Sequence, residues 1–446
     1  MNKAEAFALL KKYHAENKHG LLEHTLAVAR YARNVAELLR LRKVSVDAEK
    51  VEIAAVLHDI GKGYPRHEAA GAQILRKHGL DMFAKVVETH GCAPAYMDNL
   101  ETSLETKIIN YADGHFDHDK YVTLDQRIEL LEKRWTAEDV VILHKAKVHV
   151  QKGHNDIEEM LGDSKNILEL VELVLQKNPK NILLQLPDGL KKYSTMITDA
   201  LERSSVETII SAEPCYGACC LATDKNVELV VHVGHNEFGF ESLKSDKVLF
   251  YPWKLELEFD LDKINFGSIK EKNISLVSTI QYIDELPKIK GKLEKDGKRV
   301  KIVGQILGCR VPQIKDTALF VGSGMFHPTG INGNVYRLDV ESGKVEKIDT
   351  MLIEKKRQAA ISKLDDAKTV GILVSTKPGQ YKMGEALKLK DVLEKGDKKC
   401  YIVIFDEINA NTLAGVPVDA FINTACPRIV EDKFDKPMIN FADIEK

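Results

Sequence analysis

IISAEPCYGACC (209–220) is one of three segments in which an apolar run ends in a small-residue turn that carries cysteine. VGQILGC (303–309) and AFINTACPR (420–428) have the same design. Cys219, Cys309 and Cys426 are separated by 90 and 117 residues, so only a fold that gathers three strand ends could bring them together. Three soft thiolates at one point are typical of an iron–sulfur cluster with one open iron, or of zinc. Spacing alone instead favours three unrelated buried cysteines, because the chain has no C-x-x-C pair.

From residue 181 onward, short apolar runs alternate with helical stretches. Their continuous hydrophobicity predicts strands buried on both faces, and hence parallel sheets covered by helices. Ten runs exceed one sheet of usual size, so we expect two or three α/β units, with one cysteine segment in each. The runs are 181–186, 206–211, 227–233, 247–251, 274–279, 300–307, 317–323, 369–375, 400–405 and 418–424.

Several loops at the predicted strand ends carry residues that could contact a ligand. In open α/β sheets, ligands gather at the carboxyl ends of the strands. LQLPDGL (184–190), VGSGMFHP (321–328) and VSTKPGQ (374–380) all follow such ends, and VHVGHNEF (231–238) places two histidines likewise. Neither a P-loop nor G-x-G-x-x-G is present, so ATP or NAD binding has no direct support. The candidate cofactor-binding residues are Gln185, Pro187, Gly189, Gly322, Ser323, Gly324, His327, Ser375, Thr376, Lys377 and Gln380.

The N-terminal third has helical rather than strand periodicity. LLEHTLAVARYARNVAELLRL (21–41) has apolar residues at helical spacing, and VEIAAVLHDIGKG (51–63) ends at glycines, as helices often do. Together with the patterns at 66–79, 81–90, 101–112 and 123–134, they predict an all-α bundle of five to seven helices. We predict a helical domain at 1–160, a linker and first helix at 161–180, and an α/β domain at 181–446. The α/β domain is divided into subdomains at about 181–280, 281–365 and 366–446. The most linker-like piece is QKGHNDI, just before residue 161.

Histidines and aspartates of the helical domain carry its chemistry. His58 and Asp59 end an apolar helix, with His24 on the preceding helix and Asp113 on a later one. Neutral imidazoles and carboxylates suit one divalent transition metal, which can make hydroxide from water and polarise a phosphate oxygen. His67 and His90 fall where a second metal or a substrate phosphate could be bound, and Lys62 is a candidate catalytic contact to phosphate. Any single histidine is more often a hydrogen-bonded core or surface residue.

About residues 18–135 resemble the HD-domain metal-dependent phosphohydrolases, in particular small members bearing HDIG. The matching text is EHTLAVA, AAVLHDIGK, HEAAGAQIL, VVETHG and KIINYAD. The resemblance implies that His24, His58, Asp59 and Asp113 bind a divalent metal such as Mn, Fe or Mg, with His67 and His90 available for a second ion. A phosphate ester or nucleotide is the implied substrate class.

The larger domain resembles the diphthamide synthase family, the 2-(3-amino-3-carboxypropyl)histidine synthases of archaea and eukaryotes. The matching stretches are ILLQLPDGL, CYGACC, ELVVHVGH, VGQILGC, LFVGSGMFHP, ILVSTKPGQ and FINTACPRI. The resemblance implies that Cys219, Cys309 and Cys426, one from each of three similar α/β units, bind a central 4Fe–4S cluster whose fourth iron is open to S-adenosylmethionine. The implied radical reaction moves the 3-amino-3-carboxypropyl group to a histidine of elongation factor 2. An external electron donor and a homodimer are implied as well.

Some features depart from that family and leave alternatives open. CYGACC holds three cysteines, so Cys215 and Cys220 compete with Cys219 as the ligand. A fused HD domain is not the usual architecture, which keeps open a divergent paralogue with another acceptor. In a third interpretation the HD domain is the only enzyme and the larger domain is a cluster-bearing sensor or scaffold.

The composition is that of an ordinary globular protein, with 446 residues, 44% hydrophobic and 29% charged. We expect no membrane span, because no segment approaches the roughly 18 apolar residues required. MNKAEAFALLKKYHAENKHG has no apolar core of a secretory signal, and seven irregularly spaced cysteines fit a reducing compartment, so a cytoplasmic location is expected. A net charge of −3 argues against broad nucleic-acid binding.

Overall fold

A computed structural model describes residues 1–91, 102–224 and 226–444. The chain forms two compact units. One comprises Met1–Pro179 and Met196–Ser205, and the other comprises Lys180–Thr195 and Val206–Lys446. Among the described residues, no helix has the length and apolar character needed to cross a membrane.

The first unit is helical. The described part of residues 1–179 contains nine α-helices, and most of the helix Ser194–Glu202 belongs to this unit as well. Eight of the nine begin within residues 1–160, where five to seven were predicted. Side chains at the N-caps, including Asn2, Asp47 and Thr123, accept hydrogen bonds from backbone N–H groups of the first turns and so define several helix starts. The helices are α1 (Lys3–Tyr13), α2 (Leu21–Leu41), α3 (Ala48–Leu57), α4 (His67–Lys77), α5 (Asp81–Thr89), α6 (Leu104–Asp113), α7 (Leu124–Arg134), α8 (Ala137–Leu161) and α9 (Lys165–Gln176), with a short hairpin β1 (Phe116–Asp117) and β2 (Lys120–Tyr121).

The predicted linker-like piece QKGHNDI lies inside the continuous helix α8, and that part of the prediction is wrong. Its polar residues form one exposed stripe, while His154 and Ile157 are buried. Helix α2 forms the centre of the unit because Val28, Val35 and Leu39 on one face are fully buried.

Three sheets make up the second unit. Their orders are β4-β3-β5-β6, β8-β7-β9-β10-β11 and β13-β12-β14-β15, and every pairing is parallel except that of β10 with β11. In each sheet the second strand in sequence lies at an edge beside the first, and the third lies on the first strand's other side. The strands are β3 (Asn181–Gln185), β4 (Glu207–Ile210), β5 (Leu229–Val233), β6 (Val248–Tyr251), β7 (Asn273–Ser278), β8 (Arg299–Gln305), β9 (Thr317–Val321), β10 (Val335–Leu338), β11 (Val345–Lys347), β12 (Thr369–Ser375), β13 (Lys399–Phe405), β14 (Ala420–Asn423) and β15 (Met438–Asn440).

All ten predicted apolar runs form strands, and the prediction of parallel sheets is confirmed. The short strands β10, β11 and β15 were not predicted; β11 and β15 have three residues each, which are too few for a clear period. Burial on both faces is wrong for β4, β8 and β13, whose free edges expose residues such as Ile210, Ile302 and Ile404. The remaining α-helices are α10 (Ser194–Glu202), α11 (Leu286–Lys295), α12 (Phe326–Thr329), α13 (Thr350–Asp366), α14 (Met383–Lys395), α15 (Ala410–Ala414) and α16 (Phe441–Ile444).

Candidate functional site

In the helical unit, the predicted histidines converge on the buried carboxylate of Asp59. Its Oδ2 lies 3.9 Å from His24 Nε2 and 3.6 Å from His58 Nε2. Its Oδ1 lies 3.5 Å from His67 Nε2 and 3.8 Å from His90 Nε2. The two oxygens therefore face two separate pairs of imidazoles. Such an arrangement suits a carboxylate that bridges two metal ions.

Backbone carbonyls fix the orientation of three of these rings. The Nδ1 atoms of His24, His58 and His90 lie 2.8, 2.7 and 2.6 Å from the carbonyl oxygens of His118, Ala55 and Val87. A proton on Nδ1 leaves the lone pair on Nε2, which faces Asp59, and metal-binding histidines are commonly held in this way. His58 Nε2 is buried without a hydrogen-bond partner, which is costly unless a ligand such as a metal satisfies it.

The fourth predicted ligand, Asp113, joins the set through His24. Its Oδ1 lies 3.1 Å from His24 Nε2 at the C-terminus of α6. Burial would raise the pKa of both carboxyl groups, but the neighbouring imidazoles, with Lys62 beside Asp59, outweigh it and hold both pKa values below their usual range. Burial lowers the pKa of His58 to about 4, so this ring is neutral and able to bind metal.

Lys62, the candidate phosphate contact, lies close to this centre. Its Nζ lies 3.1 Å from Oδ2 and 3.3 Å from Oδ1 of Asp59. Half of its side chain is exposed to solvent. The predicted residues His24, His58, Asp59, Lys62, His67, His90 and Asp113 therefore all lie in one cluster.

In the second unit, the three predicted cysteines follow the carboxyl ends of strands. Cys219 comes after β4, Cys309 after β8 and Cys426 after β14. Cys219 and Cys309 thus follow the second strand of their sheets, whereas Cys426 follows the third. Leu307 and Arg310 pair across a tight turn that places Cys309 at its exposed tip.

The loop after β12 packs directly against Cys219. The backbone N–H of Gly379 donates to the Cys219 carbonyl at 3.1 Å. The side-chain amide of Gln380 donates to the Sγ atoms of Cys219 and Cys220 at 3.3 and 3.4 Å. The guanidinium of Arg428, two residues after Cys426, lies over the Tyr216 ring at 4.7 Å. The first and third sheets therefore bring their cysteine loops together.

Electrostatic effects between the thiols also indicate that they share one region. The pKa of Cys426 is raised to about 11. Burial is the main cause, and the nearby Cys309 and Cys220 contribute in the same direction. The Sγ atoms of Cys219 and Cys220 lie 3.8 Å apart, and a hydrogen bond from Cys219 lowers the pKa of Cys220 to about 6 while it raises that of Cys219. Cys220 thus stays beside Cys219 as an alternative ligand. Cys215 instead contacts His232 and His235, a pairing that the sequence did not predict.

The predicted cofactor-binding residues lie in the loops around these cysteines. Gln185 is buried, and its amide donates to the Cys220 carbonyl at 2.8 Å. His327 Nδ1 accepts from the Gly308 N–H at 3.1 Å, next to Cys309. Lys377 pairs with Glu407. The others lie in the same strand-end loops: Pro187 and Gly189 after β3, Gly322, Ser323 and Gly324 after β9, and Ser375 and Thr376 at the end of β12.

Comparison with known proteins identifies both parts of the chain. A family model described as "Putative diphthamide synthesis protein" matches residues 186–446, and an HD-domain model matches residues 21–115. The 2-(3-amino-3-carboxypropyl)histidine synthase of Pyrococcus horikoshii is 29% identical over 303 residues, which are 62% of this chain and 88% of that protein. Subunit 1 of the Schizosaccharomyces pombe enzyme is 30% identical over 57% of this chain and 66% of its own length.

A solved structure agrees with these sequence matches. The crystal structure of Dph2 from Pyrococcus horikoshii with a 4Fe–4S cluster aligns with a TM-score of 0.57 at 28% identity, over 63% of this chain and 89% of that one. The match to the diphthamide synthesis model spans more than half of the chain. The protein therefore belongs to the diphthamide synthesis family and carries an HD domain at its N-terminus.

Proposed function

We propose that this protein transfers the 3-amino-3-carboxypropyl group of S-adenosylmethionine to a histidine of elongation factor 2, the first step of diphthamide formation. The observation that carries the proposal is the approach of cysteine-bearing loops from different sheets: Gln380 donates to Cys219, and Arg428, two residues after Cys426, lies over the Tyr216 ring. The names of the relatives, including a structure with a 4Fe–4S cluster, support it.

In this proposal Cys219, Cys309 and Cys426 hold a 4Fe–4S cluster at the centre of three similar α/β units. The donor set fits, because cysteine thiols from three loops lie close enough to affect one another's pKa, and cluster irons prefer thiolate ligands. When bound, the cluster supplies an electron and an open iron for the methionine part of S-adenosylmethionine. An external donor is then needed to provide that electron.

The chain's own residues would bind and orient the substrate. Burial opposes the charge on Lys377, but Glu407 and Cys220 outweigh it and raise its pKa, so Lys377 is a cation that a substrate carboxylate would share with Glu407. The exposed turn at Ser323 and Gly324 offers backbone N–H groups to a carboxylate or ribose hydroxyls. The Gln380 amide would donate to ligand sulfurs, an interaction that tunes the potential of such clusters.

The test uses protein reconstituted with iron and sulfide without oxygen, then given dithionite, S-adenosylmethionine and elongation factor 2. We expect methylthioadenosine release and a mass increase of one 3-amino-3-carboxypropyl group on a histidine. Cys309→Ala and Cys426→Ala should lose the cluster and both activities, whereas Cys400→Ala, a change at a buried cysteine on β13, should keep them. Full cluster retention in both variants would sink the assignment, and methylthioadenosine without a modified factor would indicate another acceptor.

A second function is proposed for the HD domain, the hydrolysis of a phosphate ester or nucleotide by bound divalent metal. The two-sided placement of Asp59 between two pairs of histidines supports it. Asp59→Asn should abolish metal-dependent phosphate release, and Asp156→Asn, which changes only a part-exposed ion pair with Lys107, should not. Phosphate release that persists in Asp59→Asn would refute this function. No phosphate release by the wild-type protein with Mn, Fe or Mg would favour a structural HD domain.

We also propose that the protein acts as a homodimer. The free edges of β4, β8 and β13 expose apolar side chains, including Ile210 and Ile404, that a second copy could cover. Light scattering coupled to size exclusion measures the mass directly, and a monomer at micromolar concentration would contradict the proposal.

A further inference from the structure

A third group of metal-binding side chains lies in the second unit, between the loop before Cys219 and the end of β5. Cys215 Sγ lies 3.8 Å from His232 Nε2 and 4.0 Å from His235 Nδ1. The two imidazole nitrogens are 3.2 Å apart. A tetrahedral zinc ion with ordinary bond lengths separates two nitrogens by about 3.3 Å and a nitrogen from a sulfur by about 3.5 Å. The three donors are therefore within a few tenths of an ångström of zinc-binding positions.

A hydrogen-bond chain fixes the orientation of His232. Its ring is fully buried, and its Nδ1 lies 2.8 Å from Gln185 Oε1. The Gln185 amide orientation is itself defined, since its Nε2 donates to the Cys220 carbonyl and its Oε1 accepts from the Ala222 N–H. His232 is therefore protonated on Nδ1, and the lone pair of Nε2 faces Cys215 and His235. A side-chain carbonyl behind the imidazole is a common support for a metal ligand.

The local sequence explains why the backbone turns so that the His235 ring lies beside the His232 ring. Gly234 separates them with φ +91, a left-handed conformation that glycine adopts at little cost. A Cβ at Gly234 would lie 2.9 Å from Pro187 Cγ, so the turn is also closely packed. His232 and Cys215 are buried and His235 is partly buried, so the three donors face one another largely out of contact with water.

We propose that Cys215, His232 and His235 form a binding site for one zinc ion, separate from the cysteines that would hold the cluster. One thiolate and two imidazoles favour zinc over magnesium, calcium or manganese. Three protein donors leave the fourth position for water or for a substrate atom. The ion would tie the segment that leads to Cys219 to the end of β5. The metal-free alternative is a hydrogen bond between the two histidines beside a protonated Cys215 thiol.

The experiment uses the full-length protein with its cluster reconstituted to four irons per chain, so that the cluster cysteines are occupied. Each sample is dialysed against zinc sulfate and then against metal-free buffer, and zinc and iron are counted by mass spectrometry. Cys215→Ser and His235→Gln should each lose about one zinc per chain and keep their iron. Cys400→Ser, the matched change at a buried cysteine on β13, should keep both.

X-ray absorption at the zinc edge separates this site from the HD domain, whose candidate ligands are only nitrogen and oxygen. The wild-type protein should show a sulfur neighbour at about 2.3 Å from zinc, and Cys215→Ser should not. Equal zinc content in the wild type and His235→Gln would overturn the proposal. Loss of iron in Cys215→Ser would overturn it as well, because Cys215 would then be a cluster ligand.

Discussion

Gly379 offers the sharpest test of how the second unit holds Cys219. A Cβ at this position would lie 2.4 Å from the Cys219 Cα and 2.7 Å from its Cβ. Carbon atoms in contact normally lie about 3.5–4.0 Å apart, so Gly379→Ala must separate the two segments by about 1 Å. Both sides of this contact are backbone or Cβ atoms, which cannot move aside as the end of a long side chain can. Overpacking of this kind costs about 1–3 kcal/mol.

The same displacement should prevent cluster binding, because metal ligands tolerate only about 0.2 Å of misplacement. We expect Gly379→Ala to retain little iron and sulfide after anaerobic reconstitution and to melt at a lower temperature, by about 2–4 °C per kcal/mol. Gly384→Ala is the matched control, since nothing lies within 4 Å of a Cβ there. Gly384 lies in α14, where alanine should add about 0.5–1 kcal/mol of stability. Wild-type iron content and melting temperature in Gly379→Ala would refute the reasoning.

Two further predictions concern the stability of the helical unit. Burial lowers the pKa of His154 to about 3, below its unfolded value of about 6.5, so the unfolded chain binds the proton first and stability is lost as pH falls below about 6.5. This contribution should reach about 2 kcal/mol at pH 5, and urea unfolding of His154→Phe should show a correspondingly weaker pH dependence between pH 7.5 and 5; an unchanged dependence would contradict it. Arg30→Ala leaves Glu172, which is 2% exposed, without the guanidinium 2.6 Å away and should cost about 3–5 kcal/mol in urea unfolding. Arg76→Ala breaks an exposed ion pair and should cost under about 1 kcal/mol, so equal losses in the two variants would argue against the role of burial.

Much of the secondary structure could be read from local patterns. The period of α2 predicted its bounds, Leu21–Leu41, and the run at 369–375 predicted β12 to the residue. Predictions for long periodic segments are reliable, because the same pattern of buried and exposed positions recurs along the whole segment. The motif around His58 and Asp59 was equally local, and the structure places its predicted partners beside it. Helix α8 was harder to predict, since its polar face resembles a linker.

The sequence by itself determined the helical and α/β halves, the identity of the chemistry-bearing residues and their positions at strand ends. Tertiary structure alone decided which residues face one another. Cys215, Cys219 and Cys220 lie within six residues, yet the first contacts His232 and His235 while the other two contact Gln380. Such contacts join residues up to 161 positions apart, and no local pattern encodes them. The exposed edges of β4, β8 and β13 were likewise decided by the sheet order, because an apolar run looks the same at an edge as at a centre.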